Sequence, residues 1–410
     1  MLITICHPPK TDKGTSASKF KPIPMKKLIV LALGIGFFIS PLYKKILHAT
    51  TTIPRTILNL NNHPAESKIQ IALLLDTSNS MDGLIDQAKS QLWKMVNELA
   101  SAERDGHVPQ IELALYHYGN SELSGETYFI ERKAGLTKDL DLVSEKLFSL
   151  KTNGGNEYCG AVIKTSLKEL DWSNSPKDLK LMIIAGNEPF DQGPVDFRNF
   201  CTEAKASGIQ INTIFCGDYN EGKSVGWLEG ARIAEGKYLN IDQDQQVIHI
   251  NTPYDQMIID LNIKLNKTYI GYGRQGTEKM FLQNSQDKNA ESYGAANMRS
   301  RAAVKAKKSY NNASWDLVDA VEENESVLSD VQQLPSEMQS MNKDERANYV
   351  KVKSQERAAI QKEILALEKK ARAYEEKERT KMAGTEKTLD NVLIETVKSQ
   401  AVEKKFEFQK

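Results

Sequence analysis

A short segment in the first fifth of the chain combines one carboxylate with two hydroxyl groups. Asp76, Ser78 and Ser80 alternate along the sequence Asp-Thr-Ser-Asn-Ser. Three hard oxygens on one loop suit a divalent cation such as Mg²⁺, with Mn²⁺ or Ca²⁺ as alternatives. An Asp/Ser turn that merely caps the next helix has the same composition. The segment therefore indicates either a metal site or a helix cap.

The flanking sequence predicts where these oxygens lie. Residues 69–75 form an almost unbroken aliphatic run, which is typical of a strand buried on both faces. An amphipathic helix is predicted after it, over residues 81–102. Further strands are predicted at residues 111–118, 127–131, 179–185, 209–216 and 236–241, with helices between them. This alternation predicts an α/β fold with a doubly wound, mainly parallel sheet, whose ligands bind at the carboxyl ends of the strands.

The placement of the motif resembles the metal-ion-dependent adhesion site of the von Willebrand factor A (vWA) domain, a Rossmann-like fold. The resemblance covers residues 66–272. Residues 154–157 (Gly-Gly-Asn-Glu) stand where the family has a Gly-Gly-Thr loop. Residues 181–189, an apolar run that ends in Gly-Asn-Glu-Pro, stand where the family has an apolar strand ending in Thr-Asp-Gly. The resemblance implies a cation held by Asp76, Ser78 and Ser80, with further oxygens from Asn156, Glu157 and Glu188.

Two of the three ligand segments depart from the family pattern. The family's ligand Thr falls on Asn156, and its ligand Asp falls on Gly186 or Asn187. A site rebuilt from neighbouring oxygens and a vestigial site without metal both remain open. In the resembled family an acidic side chain of the protein partner completes the coordination of the cation.

Composition and motifs exclude several classes of function. The 410 residues hold 54 Lys or Arg and 54 Asp or Glu, so there is no electrostatic case for nucleic acid binding. No nucleophile–base constellation or phosphate-binding Gly loop is visible, and we expect no enzyme. The first hypothesis is an exported binding or adhesion module that engages a protein partner. The alternatives are an envelope scaffold without metal and, with less support, a metal-dependent hydrolase that lacks a nameable general base.

The N-terminal segment predicts export. Met25, followed by two lysines and the apolar residues 28–39, fits a secretory signal and suggests that the natural start is Met25. Residues 1–49 then form a leader and residues 50–65 a linker. Cleavage of the signal and retention of it as a membrane anchor both remain open. Either places the protein in the periplasm or cell envelope.

The cysteines allow one disulfide. Cys159 opens a predicted helix beside the ligand loop, and Cys216 ends a predicted strand. A doubly wound sheet brings both near one edge, and an oxidising compartment permits a bridge between them. Burial of the cysteines as small apolar residues is the other interpretation.

Residues 273–410 are charged and predicted to be helical, and we expect residues 66–272 to fold without them. Apolar residues at positions 360, 364, 367, 371 and 374 follow the spacing of a coiled-coil seam. The seam could join copies of the chain or close a helical hairpin.

Overall fold

The computed structural model describes residues 67–241, 249–381 and 389–408. The leader, its signal and the 50–65 linker lie outside the described residues, so export stays a prediction. The described residues belong to one compact unit, Asn62–Lys410. Among them, no helix combines the length and apolar character needed to cross a membrane.

The strands of the described residues form a large and a small sheet. They are β1 (Lys68–Asp76), β2 (Ala102–Glu103), β3 (Gln110–Tyr118), β4 (Ile130–Thr137), β5 (Leu179–Gly186), β6 (Gln210–Cys216), β7 (Tyr238–Ile241) and β8 (Glu407–Phe408). The large sheet has the order β4-β3-β1-β5-β6-β7, in which only the β3–β4 pair is antiparallel. In the small sheet β2 pairs with β8. The predicted doubly wound, mainly parallel sheet is confirmed.

The described residues also form helices, most of which cover the two faces of the large sheet. They are α1 (Asp82–Leu99), α2 (Leu140–Phe148), α3 (Cys159–Glu169), α4 (Phe197–Ala206), α5 (Tyr219–Ser224), α6 (Trp227–Ile233), α7 (Asp255–Asn266), α8 (Gly276–Ser292), α9 (Ala295–Lys305), α10 (Leu317–Glu323), α11 (Ser336–Gln339), α12 (Lys343–Lys381) and α13 (Leu389–Glu403). Side chains alternate along β1, so that Leu73 and Leu75 enter one core and Ala72 and Leu74 the other. Helices α3, α4 and α6 cover the Ala72 face, whereas α1, α2, α7, α9, α12 and α13 contribute to the Leu73 core. Helices α10 and α11 pack in a separate small core.

Two predicted elements near the carboxyl edge of the sheet were wrong in their bounds. The strand predicted over residues 127–131 is β4 and begins only at Ile130. Tyr128 and Phe129 both have a φ of 56°, which is incompatible with a strand. The helix predicted over residues 224–234 is α6 and begins only at Trp227, because Gly226 before it adopts a φ of 97°; the separate helix α5 precedes it.

Most residues of the predicted coiled-coil seam belong to the core of the protein. Ile360, Ile364, Leu367 and Ala371 are buried, and the first three belong to the same core as the Leu73 face of β1. Helix α12 packs on α7 and α9 of the same chain. The seam is therefore covered by α7 and α9 of the same chain.

Polar contacts join the helical region to the sheet domain. Arg301 of α9 is fully buried, donates to Asp141 of α2 and Asp287 of α8, and lies over the ring of Trp93 of α1. The domain boundary at residue 272 stays a prediction, but this shared core gives a reason to expect that both parts unfold together.

A second polar link lies on β6. Asn212 and Gln400 of α13 are both fully buried. They exchange two amide hydrogen bonds of 2.8 and 2.9 Å. Because each amide satisfies the other, the pair fixes α13 in register on the sheet.

Candidate functional site

The Asp-Thr-Ser-Asn-Ser segment lies at the carboxyl edge of the sheet, where β1, β3, β5 and β6 end. Asp76 is the last residue of β1 and is fully buried. Its Oδ1 accepts a 2.7 Å hydrogen bond from the Ser78 amide. The Ser78 and Ser80 hydroxyl oxygens lie 3.2 Å apart. The sequence-predicted first segment therefore presents its three oxygens on one tight loop.

The adjacent strand anchors this loop. The Thr77 amide donates to the carbonyl oxygen of Tyr118, the last residue of β3, at 2.9 Å. The Thr77 carbonyl in turn accepts from the amide of Asn153 in the loop before α3. Two of the predicted ligand segments are thus joined through the backbone of Thr77.

Glu157, rather than Asn156, faces Asp76. Glu157 is buried whereas Asn156 is exposed. The Glu157 amide donates to Oε1 of Gln192 at 2.8 Å, which holds the loop before α3 against the loop after β5. The position that replaces the family's ligand Thr therefore turns outward, and the next residue brings a carboxyl group into the site.

Two glycines make room for the two carboxyl groups. A Cβ on Gly119 would lie 2.6 Å from Cγ of Glu157 and 2.7 Å from Oδ1 of Asp76. A Cβ on Gly186 would lie 2.7 Å from the Tyr118 hydroxyl and 3.0 Å from Oδ2 of Asp76. A side chain at position 186 would therefore displace Asp76, and a ligand Asp cannot stand there.

Asn187 and Glu188 occupy the rim. The Asn187 side-chain amide donates to the Ser80 hydroxyl at 3.2 Å, so Asn187 contacts the ligand loop although it was outside the predicted ligand set. Glu188 is half-exposed and accepts a 3.4 Å hydrogen bond from Gln192. Besides burial, the negative charge of Glu188 contributes to raising the pKa of both buried carboxyls, Asp76 and Glu157.

Electrostatics make the Asp76–Glu157 pair unfavourable as two bare anions. Burial and the Asp76 carboxylate raise the pKa of Glu157 to about 9. Burial also raises the pKa of Asp76 to about 6, against hydrogen bonds from Ser78 that lower it. Two carboxylates in one low-dielectric site cannot both stay charged without a cation or a proton between them.

The residues present fit a hard cation. Asp76 Oδ2 and Glu157 Oε2 are buried and receive no hydrogen bond from the described residues. With the hydroxyls of Ser78 and Ser80 they form a set of oxygen donors that suits Mg²⁺, Mn²⁺ or Ca²⁺. The described residues contain no group of three or more His, Cys, Asp or Glu arranged for a metal. A cation here would therefore depend on two carboxylates and on hydroxyl oxygens.

The predicted disulfide is wrong. Cys159 and Cys216 are both buried free thiols. Cys159 belongs to the core on the Ala72 face of the sheet and Cys216 to the core on the Leu73 face. Although both residues lie near one edge, the sheet itself separates their side chains, and burial raises the pKa of both thiols.

Comparison with known proteins gives similar folds only. No family model and no curated protein matches the chain. A structure of the conserved hypothetical protein BatB from Bacteroides thetaiotaomicron is 15% identical over 42% of this chain and 90% of its own, with a TM-score of 0.33. The vWF domain of the type V pili tip protein Mfa5 from Porphyromonas gingivalis is 12% identical over 43% of this chain and 90% of its own, with a TM-score of 0.33.

A third similar structure is that of proximal thread matrix protein 1 from the mussel byssus, with a zinc-occupied MIDAS motif. It is 14% identical over 44% of this chain, with a TM-score of 0.35, and this chain spans 43% of its length. The strand order of the large sheet and the position of the Asp76 loop give the described residues a vWA-like arrangement.

Proposed function

We propose that this protein is an exported binding module that captures a protein partner through a divalent cation at the carboxyl edge of its vWA-like sheet. Asp76 and Glu157 would hold the cation with the hydroxyls of Ser78 and Ser80, and Asn187 would orient Ser80. The bound cation would give the site affinity for a carboxylate group of the partner.

One observation carries this proposal. Asp76 and Glu157 are buried side by side, and each has an oxygen that receives no hydrogen bond from the part of the chain that the structure describes. Unsatisfied buried carboxylate oxygens are costly, so a sequence that keeps two of them together, with glycines at positions 119 and 186 to make room, indicates a ligand.

The chain's own residues would prepare the site in three ways. Gly186 lets Oδ2 of Asp76 approach the end of β5, where any other residue would push it away. Gln192 holds the Glu157 backbone. Glu188 adds negative charge at the rim and so favours a cation over an anion as the first ligand.

Titration calorimetry of the purified protein with Mg²⁺, Mn²⁺ and Ca²⁺ tests the site. We expect one site per chain, loss of binding in Asp76→Asn and Glu157→Gln, and unchanged binding in Asn156→Ala, because Asn156 is exposed. Binding that persists in both carboxyl variants, or no binding in the wild-type protein, would refute the proposal.

The partner's carboxylate is tested separately with acetate. With Mn²⁺ bound, the relaxation of water protons reports on coordination positions that remain open to solvent. Acetate should displace this water in the wild-type protein. If acetate leaves the relaxation unchanged, the cation would have a structural role and the partner would bind elsewhere.

A scaffold without metal is the second candidate, and a specific observation favours it. Two positions that would carry ligands in the resembled family hold the exposed Asn156 and the side-chain-free Gly186. A single proton shared between Asp76 and Glu157 could also satisfy the pair. Under this alternative the melting temperature is the same in Mg²⁺ and in EDTA.

A further inference from the structure

The loops around the proposed cation site carry a strong excess of negative charge. Five segments surround the carboxyl edge, at residues 77–82, 119–129, 149–158, 187–196 and 217–226. Together they contain nine Asp or Glu residues and two Lys residues, whereas the whole chain has equal numbers of acidic and basic residues. The negative charge is therefore segregated to this edge of the molecule.

Several of these carboxylates face solvent around the site. Glu122 and Glu126 lie in the loop after β3, and Asp191 lies in the loop after β5; all three are exposed. Within the β3–β4 loop there is no Lys or Arg to offset them. One divalent cation would neutralise Asp76 and Glu157 but would leave this outer ring of carboxylates negative.

An outer ring of this kind repels a partner that is acidic as a whole. Its field extends over about 8 Å at physiological ionic strength, which spans the width of a docked peptide. A partner carboxylate can therefore reach the cation only if its own flanks offset the ring. The unsatisfied buried oxygens of Asp76 and Glu157 separately indicate that the ring surrounds a binding site and is not merely a solvated acidic surface.

We propose that the partner is a basic protein surface, in which one Asp or Glu is flanked by Lys or Arg residues. The binding of the central carboxylate to the cation rests on the proposed function, whereas the requirement for flanking Lys or Arg residues is new. The acidic ring steers the basic flanks, and the cation binds the central carboxylate. The two parts of the recognition are separable, because the ring residues Glu122, Glu126 and Asp191 are not among the proposed cation ligands.

Three synthetic peptides test the inference by fluorescence anisotropy in Mg²⁺. One has a central Asp flanked by lysines, the second has the same Asp flanked by glutamates, and the third has Asn in place of Asp with lysine flanks. We expect the first peptide to bind at least about tenfold more tightly than the second at low salt, and the difference to shrink at higher salt.

A ring variant and a matched control identify the source of the preference. The triple variant Glu122→Gln/Glu126→Gln/Asp191→Asn should lose most of the preference for lysine flanks. It should still bind one Mg²⁺ per chain, more weakly at low salt because the negative field of the ring is reduced. A control variant, Glu322→Gln/Glu325→Gln/Glu337→Gln, removes three exposed carboxylates from the α10–α11 segment and should keep the preference.

The outcomes separate this inference from the proposed function. Equal binding of lysine- and glutamate-flanked peptides, or a preference that survives in the ring variant, would overturn the inference and leave the cation proposal intact. A different result would separate the two parts. If the Asp and Asn peptides bind equally, and the preference for lysine flanks is present in the wild-type protein but absent in the ring variant, the acidic ring is supported and the cation-bridged carboxylate is refuted.

Discussion

Replacing Glu157 by Gln should stabilise the metal-free protein and abolish its response to Mg²⁺. The substitution keeps the shape of the side chain and removes its ionisation. In the unfolded chain Glu157 ionises near its ordinary pKa of 4.5, whereas in the folded protein burial and Asp76 raise this pKa to about 9. Between these two pH values the folded state retains a proton that the unfolded state releases, so stability falls as the pH rises.

The expected size follows from the same pKa difference. At pH 7 the full linkage amounts to about 3 kcal/mol, and screening by solvent that reaches the carboxyl group reduces it to about 2 kcal/mol. We therefore expect metal-free Glu157→Gln to melt about 4 °C above the wild-type protein at pH 7. The difference should be small near pH 4.5 and should grow toward pH 9.

Differential scanning calorimetry from pH 5 to pH 9, in EDTA and in saturating Mg²⁺, measures both effects. At a Mg²⁺ concentration a hundredfold above its Kd at pH 7, the wild-type protein should gain about 2.7 kcal/mol. At that same concentration the gain should increase with pH, because the cation displaces a proton and its apparent Kd therefore falls. Glu278→Gln, which removes an exposed carboxyl outside the site, serves as the control. Identical pH profiles and identical Mg²⁺ responses in Glu157→Gln and the wild-type protein would refute the reasoning.

Three further changes test the fold. Arg301→Met leaves buried Asp141 without its ion-pair partner and Asp287 with Lys305 alone, and should cost about 3–5 kcal/mol in one cooperative calorimetric transition, whereas two separate transitions would contradict a shared core. Ile364→Ala should cost about 2–5 kcal/mol without changing the sedimentation coefficient, because the seam is buried within one chain; dissociation of an oligomer would contradict this. After export and denaturation, Cys159 and Cys216 should both react with a thiol reagent, and protection of both would show that they are bridged.

The sheet and its first ligand segment could be predicted because their signals are local. The aliphatic run before Asp76 indicates a buried strand without knowledge of any other part of the chain. The choice between Asn156 and Glu157 could not be made in this way. It depends on how the loop before α3 turns, and this is fixed by Gln192 in another loop.

The segment that contains α8 and α9 was predicted to be helical, but its burial against the sheet domain was not, for a different reason. Their buried side chains include Gln283 and Arg301, which read as solvated polar residues in the sequence. Arg301 is buried because it pairs with Asp141, which is 160 residues away in the sequence. A pattern based on hydrophobic spacing cannot recognise a polar interior whose charges are balanced across such distances.

The pairing of Asn212 with Gln400 has a consequence for the order of events during biosynthesis. When β6 leaves the ribosome, the helix that covers its Leu73 face and supplies the partner amide has not yet been made. At that stage α1 and α2 cover only part of the Leu73 face, and the amide of Asn212 lacks its buried partner, both of which disfavour the closed sheet. Completion of this fold is therefore a late event that follows synthesis of α13, and until then the chain stays open to capture by chaperones.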